Sequence, residues 1–398
     1  MHRSLGSTAG WLTLVLLASS APVGAAAAGE AATTRPAGVA ALDRAFRFAT
    51  AIRSDDKDRA QAEEEVVLEY AAIGALDEAV SRSAKIEGWR RGTALADVAR
   101  IMATAGRKDE ARVLLTQAAG VRAATEGWQG PRIEAHIAQA RAALGDPAAR
   151  GMAEATASGD PRQYAGRAAA TIALQLAAQG NAAAAMAELA RLDKVDDFDA
   201  AWWRTVGYLE IARRESLSRD DRTRALAAAR RSAAGVPGWK QGEALIDIAG
   251  EARLQGSRPL AVEVLTEAEK QITAQPATLS VKAELLSRLA AGLAAAGQTT
   301  RARPLLESAE TTVGSAMVIE QPALYAVVGE GWSHAGNAGE AARHYDRALG
   351  AATALQNARP RALALVGILR AMGRAGVAPD PAMAARLTTL YAGLKDPW

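Results

Sequence analysis

The chain has 398 residues, a formal net charge of +3 and no cysteine. So small an excess of charge, with no run of basic residues, argues against a nucleic-acid partner. The lack of cysteine excludes thiol catalysis, disulfides and thiolate metal sites. Hydrophobic residues make up 49% and aromatics only 4%, with alanine abundant throughout. Alanine is the best helix former and sheets favour β-branched and aromatic residues, so this composition points to many packed helices.

The first stretch is expected to be a secretory signal peptide. Arg3 precedes an apolar run from Trp11 to Ala18, followed by small residues around Val23-Gly24-Ala25 and Ala26-Ala27-Ala28. The run is shorter than the roughly 20 residues a membrane-spanning helix needs. Residues 1–28 are thus expected to be removed on export to a periplasmic or secreted location, and residues 29–40 to form a disordered spacer. A first helix, Ala41 to Ile52, is expected to cover the start of the folded region, 41–398.

A repeated unit follows. Gly74, Gly106, Gly145 and Gly180 stand 32 to 39 residues apart, and Gly256, Gly297, Gly336 and Gly376 continue at about 40. The slot near Arg219 has no glycine. After five of these glycines an alanine follows at the fifth residue and a large apolar residue four further on. These are Ala111 and Leu115, Ala185 and Leu189, Ala261 and Leu265, Ala302 and Leu306, and Ala341 and Tyr345. Seven residues before a glycine stands a small residue: Ala99, Ala173, Ala249, Ala290 or Gly329. Apolar residues three and four apart mark helices, and the glycine closes the first helix in a left-handed turn. Asn337, Ser257 and Thr299 are the expected N-caps of second helices. Pro131, Pro161, Pro237, Pro276, Pro322 and Pro360 fall where new hairpins begin, and Asp380 to Leu394 is expected to cap the far end.

The best-defined copy, Tyr325 to Leu349, resembles a tetratricopeptide repeat. Tyr325, Val328, Gly329 and Trp332 match the pattern of its first helix, and Gly336, Ala341, Tyr345 and Ala348 that of its turn and second helix. The family unit has 34 residues, whereas most units here are longer, several lack the aromatics, and the closing proline is not at its usual place after Leu349. The resemblance spans roughly Arg59 to Leu394. It implies an all-α, right-handed superhelical solenoid of about eight to nine antiparallel helical hairpins. It also implies that first helices line a concave groove, which places Arg100, Gln139, Arg213, Arg253, Glu330 and His334 toward a bound protein or peptide.

Catalytic signatures are weak. His136, His334 and His344 lack carboxylates or a third histidine at ligand spacing, so they read as solvated or core residues and no metal or cofactor is expected. Glu215-Ser216 is similar to the catalytic pair of lytic transglycosylases, but the Gly-Leu-Met-Gln stretch expected downstream is absent. Trp89, Trp128 and Trp239 recur at the start of first helices, with Trp202 in a similar slot, and read as wedges between hairpins. The expected function is therefore an exported protein–protein interaction scaffold without chemistry of its own. A cell-envelope glycan-binding or hydrolytic helical protein is the alternative, favoured if tryptophans and two carboxylates share one cleft.

Overall fold

The computed structural model describes residues 38–394 except 54–55, 160 and 195–197, so the expected signal peptide and most of the spacer lie outside the described residues. Nineteen α-helices and one short 3₁₀ turn make up the regular structure, with no strand among the described residues.

Helices pack in consecutive pairs. These are α2 (Asp56–Ala72) with α3 (Leu76–Ser83), α4 (Arg90–Thr104) with α5 (Lys108–Ala123), α6 (Gln129–Ala143) with α7 (Ala148–Gly159), and α8 (Pro161–Ala178) with α9 (Ala182–Ala190). Next come α10 (Phe198–Ala212) with α11 (Arg219–Ala233), α12 (Trp239–Leu254) with α13 (Arg258–Ala274), α14 (Leu279–Ala295) with α15 (Thr299–Gly314), and α16 (Gln321–His334) with α17 (Ala338–Thr353). Helix α18 (Ala358–Arg374) opens a ninth unit.

The turn chemistry is uniform because one backbone solution recurs. Every glycine of the spacing series has positive φ, from 67° at Gly376 to 86° at Gly106. The residue after each glycine donates its N–H to the carbonyl five residues earlier, as in Arg107 to Met102 (2.9 Å), Ser257 to Ala252 (2.9 Å) and Asn337 to Trp332 (3.0 Å). This bond satisfies a carbonyl that the helix end leaves open, and it requires the left-handed residue that glycine supplies without steric cost. The turn without glycine, between α10 and α11, uses the Ser218 hydroxyl instead, which caps Asp221 N–H at 3.1 Å. Of the three expected caps, Asn337 accepts from Glu340 N–H at 3.1 Å. Ser257 holds the cap position with no side-chain bond. Thr299 is already the first helical residue, because Gln298 takes the cap position.

The repeated alanines and large apolar residues pack in the core, where Ala111, Ala185, Ala302, Leu189 and Leu306 are buried. Small residues on first helices mark close approaches: a Cβ on Gly329 would sit 3.1 Å from the Tyr345 ring, and one on Gly331 would sit 2.5 Å from Leu306 Cδ2.

The array does not end in two separate caps. Helix α1 (Val39–Thr50) lies on α2, as expected, but it also packs along α18 at the other end of the chain. In the α16–α17 pair, the position three residues before the turn glycine is Ser333, which faces Tyr345 of the partner helix. The same position in α18 is Gly373, where a Cβ would meet Leu42 of α1 at 2.6 Å. Helix α1 thus occupies the seat of a partner helix for α18. Helix α18 also packs directly on α2, so the first helices form a closed ring.

Ion pairs stitch this seam. Arg370 reaches Glu69 at 3.0 Å and also pairs with Glu65. Arg374 joins Glu69 and Glu330, both at 2.7 Å. Arg359 pairs with Asp58. Helix α19 (Pro381–Ala392) sits outside the seam, with Tyr391 edge-on to Phe48 of α1 at 5.4 Å and Arg386 paired to Asp346 of α17.

Candidate functional site

Closing the ring turns the expected open groove into a cavity. Its volume is about 530 Å³, and it is lined by α2, α4, α6, α8, α10, α14, α16 and α18. A second hollow of about 620 Å³ lies between α5 and the α6–α7 turn and has few converging polar groups. The central cavity falls within the usual size of small-ligand sites and gathers side chains from helices far apart in sequence.

The walls differ in chemistry. On α2 and α18 charges are matched: Glu64 pairs with Arg90 and accepts from the Thr93 hydroxyl, while Arg370 and Arg374 are held by Glu65, Glu69 and Glu330. On α4, α6 and α8, three arginines besides Arg90 (Arg100, Arg132 and Arg167) line the cavity together with His136, Gln139 and Asp97. Arg167 donates to the Gln139 carbonyl oxygen at 2.9 Å, and His136 Nδ1 is 2.8 Å from Asp97. Helix α10 contributes Trp202, Trp203 and Val206. Gly166 makes room for this aromatic pair, since a Cβ there would be 2.8 Å from Trp203 Cδ1, and the Arg167 guanidinium lies 5.9 Å from the Trp203 ring centroid. Across the ring, α14 and α16 present Glu284 among Ala323 and Val327.

Burial sets the ionisation of these groups. It pushes the Glu64 carboxyl above its ordinary value, with Arg90 and Thr93 only partly offsetting the cost. Burial also opposes ionisation of Asp97 and Glu210. Asp97 is nevertheless held below its ordinary value by His136, Arg100 and Arg167, and Glu210 by Arg213 and Arg100. Burial, reinforced by Arg167 and Arg132, lowers the His136 pKa against the pull of Asp97.

The six expected partner-binding residues separate into different places. Arg100 and Gln139 line the cavity, and Arg100 stands 3.9 Å from Glu210. Arg213 sits one layer behind, 3.0 Å from Glu210 and 3.7 Å from Glu251. Glu330 belongs to the ring seam with Arg374, and His334 is 3.9 Å from Glu330. Arg253 is half-buried in the last turn of α12. His344 is buried against Glu310 at 3.2 Å, and no cluster that could hold a metal occurs among the described residues. Glu215 and Ser216 are exposed in the turn between α10 and α11.

The tryptophans also divide. Trp89 and Trp128 meet edge to face at 5.5 Å at the N-terminal ends of α4 and α6, with Arg90 and Arg132 against the Trp89 ring. Trp239 packs on the core, and Trp202 and Trp203 line the cavity. Trp203, Arg132, Arg167, Asp97 and Glu284 were not singled out from sequence. The available signal was the recurrence of charged residues three or four apart on first helices, as in Asp97 and Arg100, Glu243 and Asp247, or Glu284 and Arg288.

The chain matches no family model and no curated relative. A crystal structure of Ton1535 from Thermococcus onnurineus NA1 is similar over 82% of this chain and 94% of its own, at 14% identity and a TM-score of 0.29. A likeness that distant carries no argument about this chain. No described helix is long and apolar enough to cross a membrane.

Proposed function

We propose that this is a binding protein that takes a small polar ligand, or the end of a partner peptide, into the cavity at the centre of its ring. The supporting observation is the convergence of Arg100, Arg132, Arg167, Trp202 and Trp203 on one cavity of about 530 Å³. Guanidinium groups recognise carboxylates and other anions by directed hydrogen bonds, and an indole offers a flat apolar face beside them. An extended partner would have to thread the ring, so this reading narrows the groove-binding scaffold to a ligand that fits inside. Export through the N-terminal segment, the tetratricopeptide-like identity of the hairpins and the hand of their superhelix belong to the same proposal.

The test uses Gly367, which lines the cavity and whose Cβ would meet only Ala323 Cβ, at 3.5 Å. Gly367→Phe fills the cavity, and Gly367→Ala is the control. Thermal stabilisation of the wild type and the control by members of a panel of small anions, sugars and peptides is expected, with loss of that stabilisation in Gly367→Phe. Equal stabilisation of all three proteins would place binding elsewhere.

The alternative of a hydrolytic or glycan-binding protein is favoured by one feature. Glu64, pushed toward its neutral form, and Asp97 and Glu210, held ionised, line the same cavity as the tryptophans. Pairs of carboxyls with opposed ionisation serve as acid and base in glycoside hydrolysis. Release of reducing sugar from envelope glycans, abolished in both Glu64→Gln and Asp97→Asn, would establish that reading.

A further inference from the structure

Each first helix turns back into an antiparallel partner, so the first helices all start at one rim of the ring and their tight glycine turns lie at the other. The starting rim carries unusual apolar exposure. Among the described residues, five large apolar side chains are more than half exposed: Val113, Trp128, Met317, Val318 and Ile319. All but Val113 lie at this rim. Trp128 precedes α6, and the other three are consecutive in the loop that leads into α16. That loop is a tight turn, closed by the Glu320 N–H donating to the Met317 carbonyl at 2.8 Å, which puts Val318 and Ile319 at its tip. Turn tips favour glycine, proline, asparagine, aspartate and serine. The loop is anchored by buried Ala316, so the three exposed side chains add little to folding.

The charge of the rim is uneven as well. Within about one helical turn of it, Lys85, Arg91, Arg231, Lys270 and Lys282 have no ion pair, against Glu126 and Glu320 among the acidic residues described there. In the order of first helices round the ring, α14 and α16 stand opposite α6. Nine first helices about 8–10 Å apart make a ring roughly 25 Å across. Trp128 and the 317–319 turn are therefore separate anchors on opposite sides, not one patch. A protein partner needs a continuous face of about 800 Å². A bilayer surface accepts separate anchors, each apolar tip entering below the headgroups while nearby cations meet anionic lipid. We propose that this rim docks on an anionic lipid surface, with the 317–319 turn and Trp128 inserted and the ring axis along the membrane normal. The inference does not depend on what the cavity binds.

The test uses the full chain, which has no cysteine of its own. Val318→Cys, Trp128→Cys and Val113→Cys are each labelled with an environment-sensitive fluorophore and mixed with phosphatidylcholine vesicles, with or without phosphatidylglycerol. Labels at 318 and 128 are expected to shift to the blue and brighten on the phosphatidylglycerol vesicles, and the label at 113, on α5, to stay unchanged. Adding Lys270→Glu/Lys282→Glu to Val318→Cys is expected to raise the lipid needed for half the response at least roughly five-fold. Because each label reports its own site, lipid binding through the N-terminal apolar run does not mimic this pattern. Labels at 318 and 128 that stay in water, or three labels that respond alike, would overturn the proposal. An equal response to phosphatidylcholine alone would overturn the anionic assignment. A shift at 318 that follows protein concentration without vesicles would replace the lipid by a second copy of the chain.

Discussion

Replacing Arg374 by methionine perturbs the ring where it closes. The guanidinium bridges Glu330 of α16 and Glu69 of α2, both at 2.7 Å, and each of the two glutamates is only 7% exposed. Glu69 keeps Arg370 at 3.0 Å in the variant, whereas Glu330 keeps only His334, at 3.9 Å. The cost therefore falls on Glu330. Burial alone would raise its pKa, but Arg374, assisted by the nearby His334, holds it at about 2. Relative to an unfolded value near 4.3, that difference corresponds to about 3 kcal/mol at neutral pH. This agrees with the 3–5 kcal/mol typical of removing one member of a buried pair. A folded pKa below the unfolded one contributes stability above pH of about 4.3, and the contribution is lost as pH falls toward 2. The expected result in urea denaturation, followed by tryptophan fluorescence and circular dichroism, is thus a deficit of about 3 kcal/mol at pH 7 that shrinks toward pH 3. Adding Glu330→Gln is expected to recover most of the deficit at pH 7. A pH-independent deficit, or a double variant no better than the single one, would refute the assignment of the cost to an unpaired Glu330.

Leu42→Ala, in the contact of α1 with Gly373, is expected to lower stability by about 2–5 kcal/mol, and a loss below about 1 kcal/mol would mean that α1 does not hold the seam. Gly256→Ala forces a side chain onto a residue with φ of +82° and is expected to cost about 1–2 kcal/mol, read from the denaturation midpoint. Glu251 is buried, and burial raises its pKa, with the Gln255 hydrogen bond and Arg213 partly offsetting. Its ionised form therefore costs stability as pH rises through the folded pKa, and Glu251→Gln is expected to be as stable as wild type or up to about 1 kcal/mol more stable at pH 7, with that gain absent at pH 4. A large loss at pH 7 would show that Arg213 needs the full charge.

The hairpins could be read from the chain because their signals are local. A left-handed turn demands glycine, and the close approach of two helices demands a small residue, so Gly256 and Gly329 announce their roles without reference to anything distant. The closure could not be read that way. Helix α1 has the same apolar spacing whether it covers α2 alone or also fills the seat beside α18, and Leu42 carries no mark of Gly373, 331 positions away. The site inherited this blindness. The resemblance to a tetratricopeptide repeat, which puts first helices on the inner face, was enough to place Arg100 and Gln139 there. That Arg370 and Trp203 face the same space depends on closure, and so does the placement of Glu330 in a seam instead of a groove.

Closure is the central claim, and the absence of cysteine makes it directly measurable. A chain carrying Asp58→Cys and Arg359→Cys, at the ion pair between α2 and α18, can be spin-labelled at those two positions alone. Double electron–electron resonance is expected to give a narrow distance distribution below about 20 Å. In an open row of nine first helices, each about 8–10 Å from the next, the two ends would stand roughly 60–80 Å apart. A distribution centred there would contradict the ring, and with it the cavity.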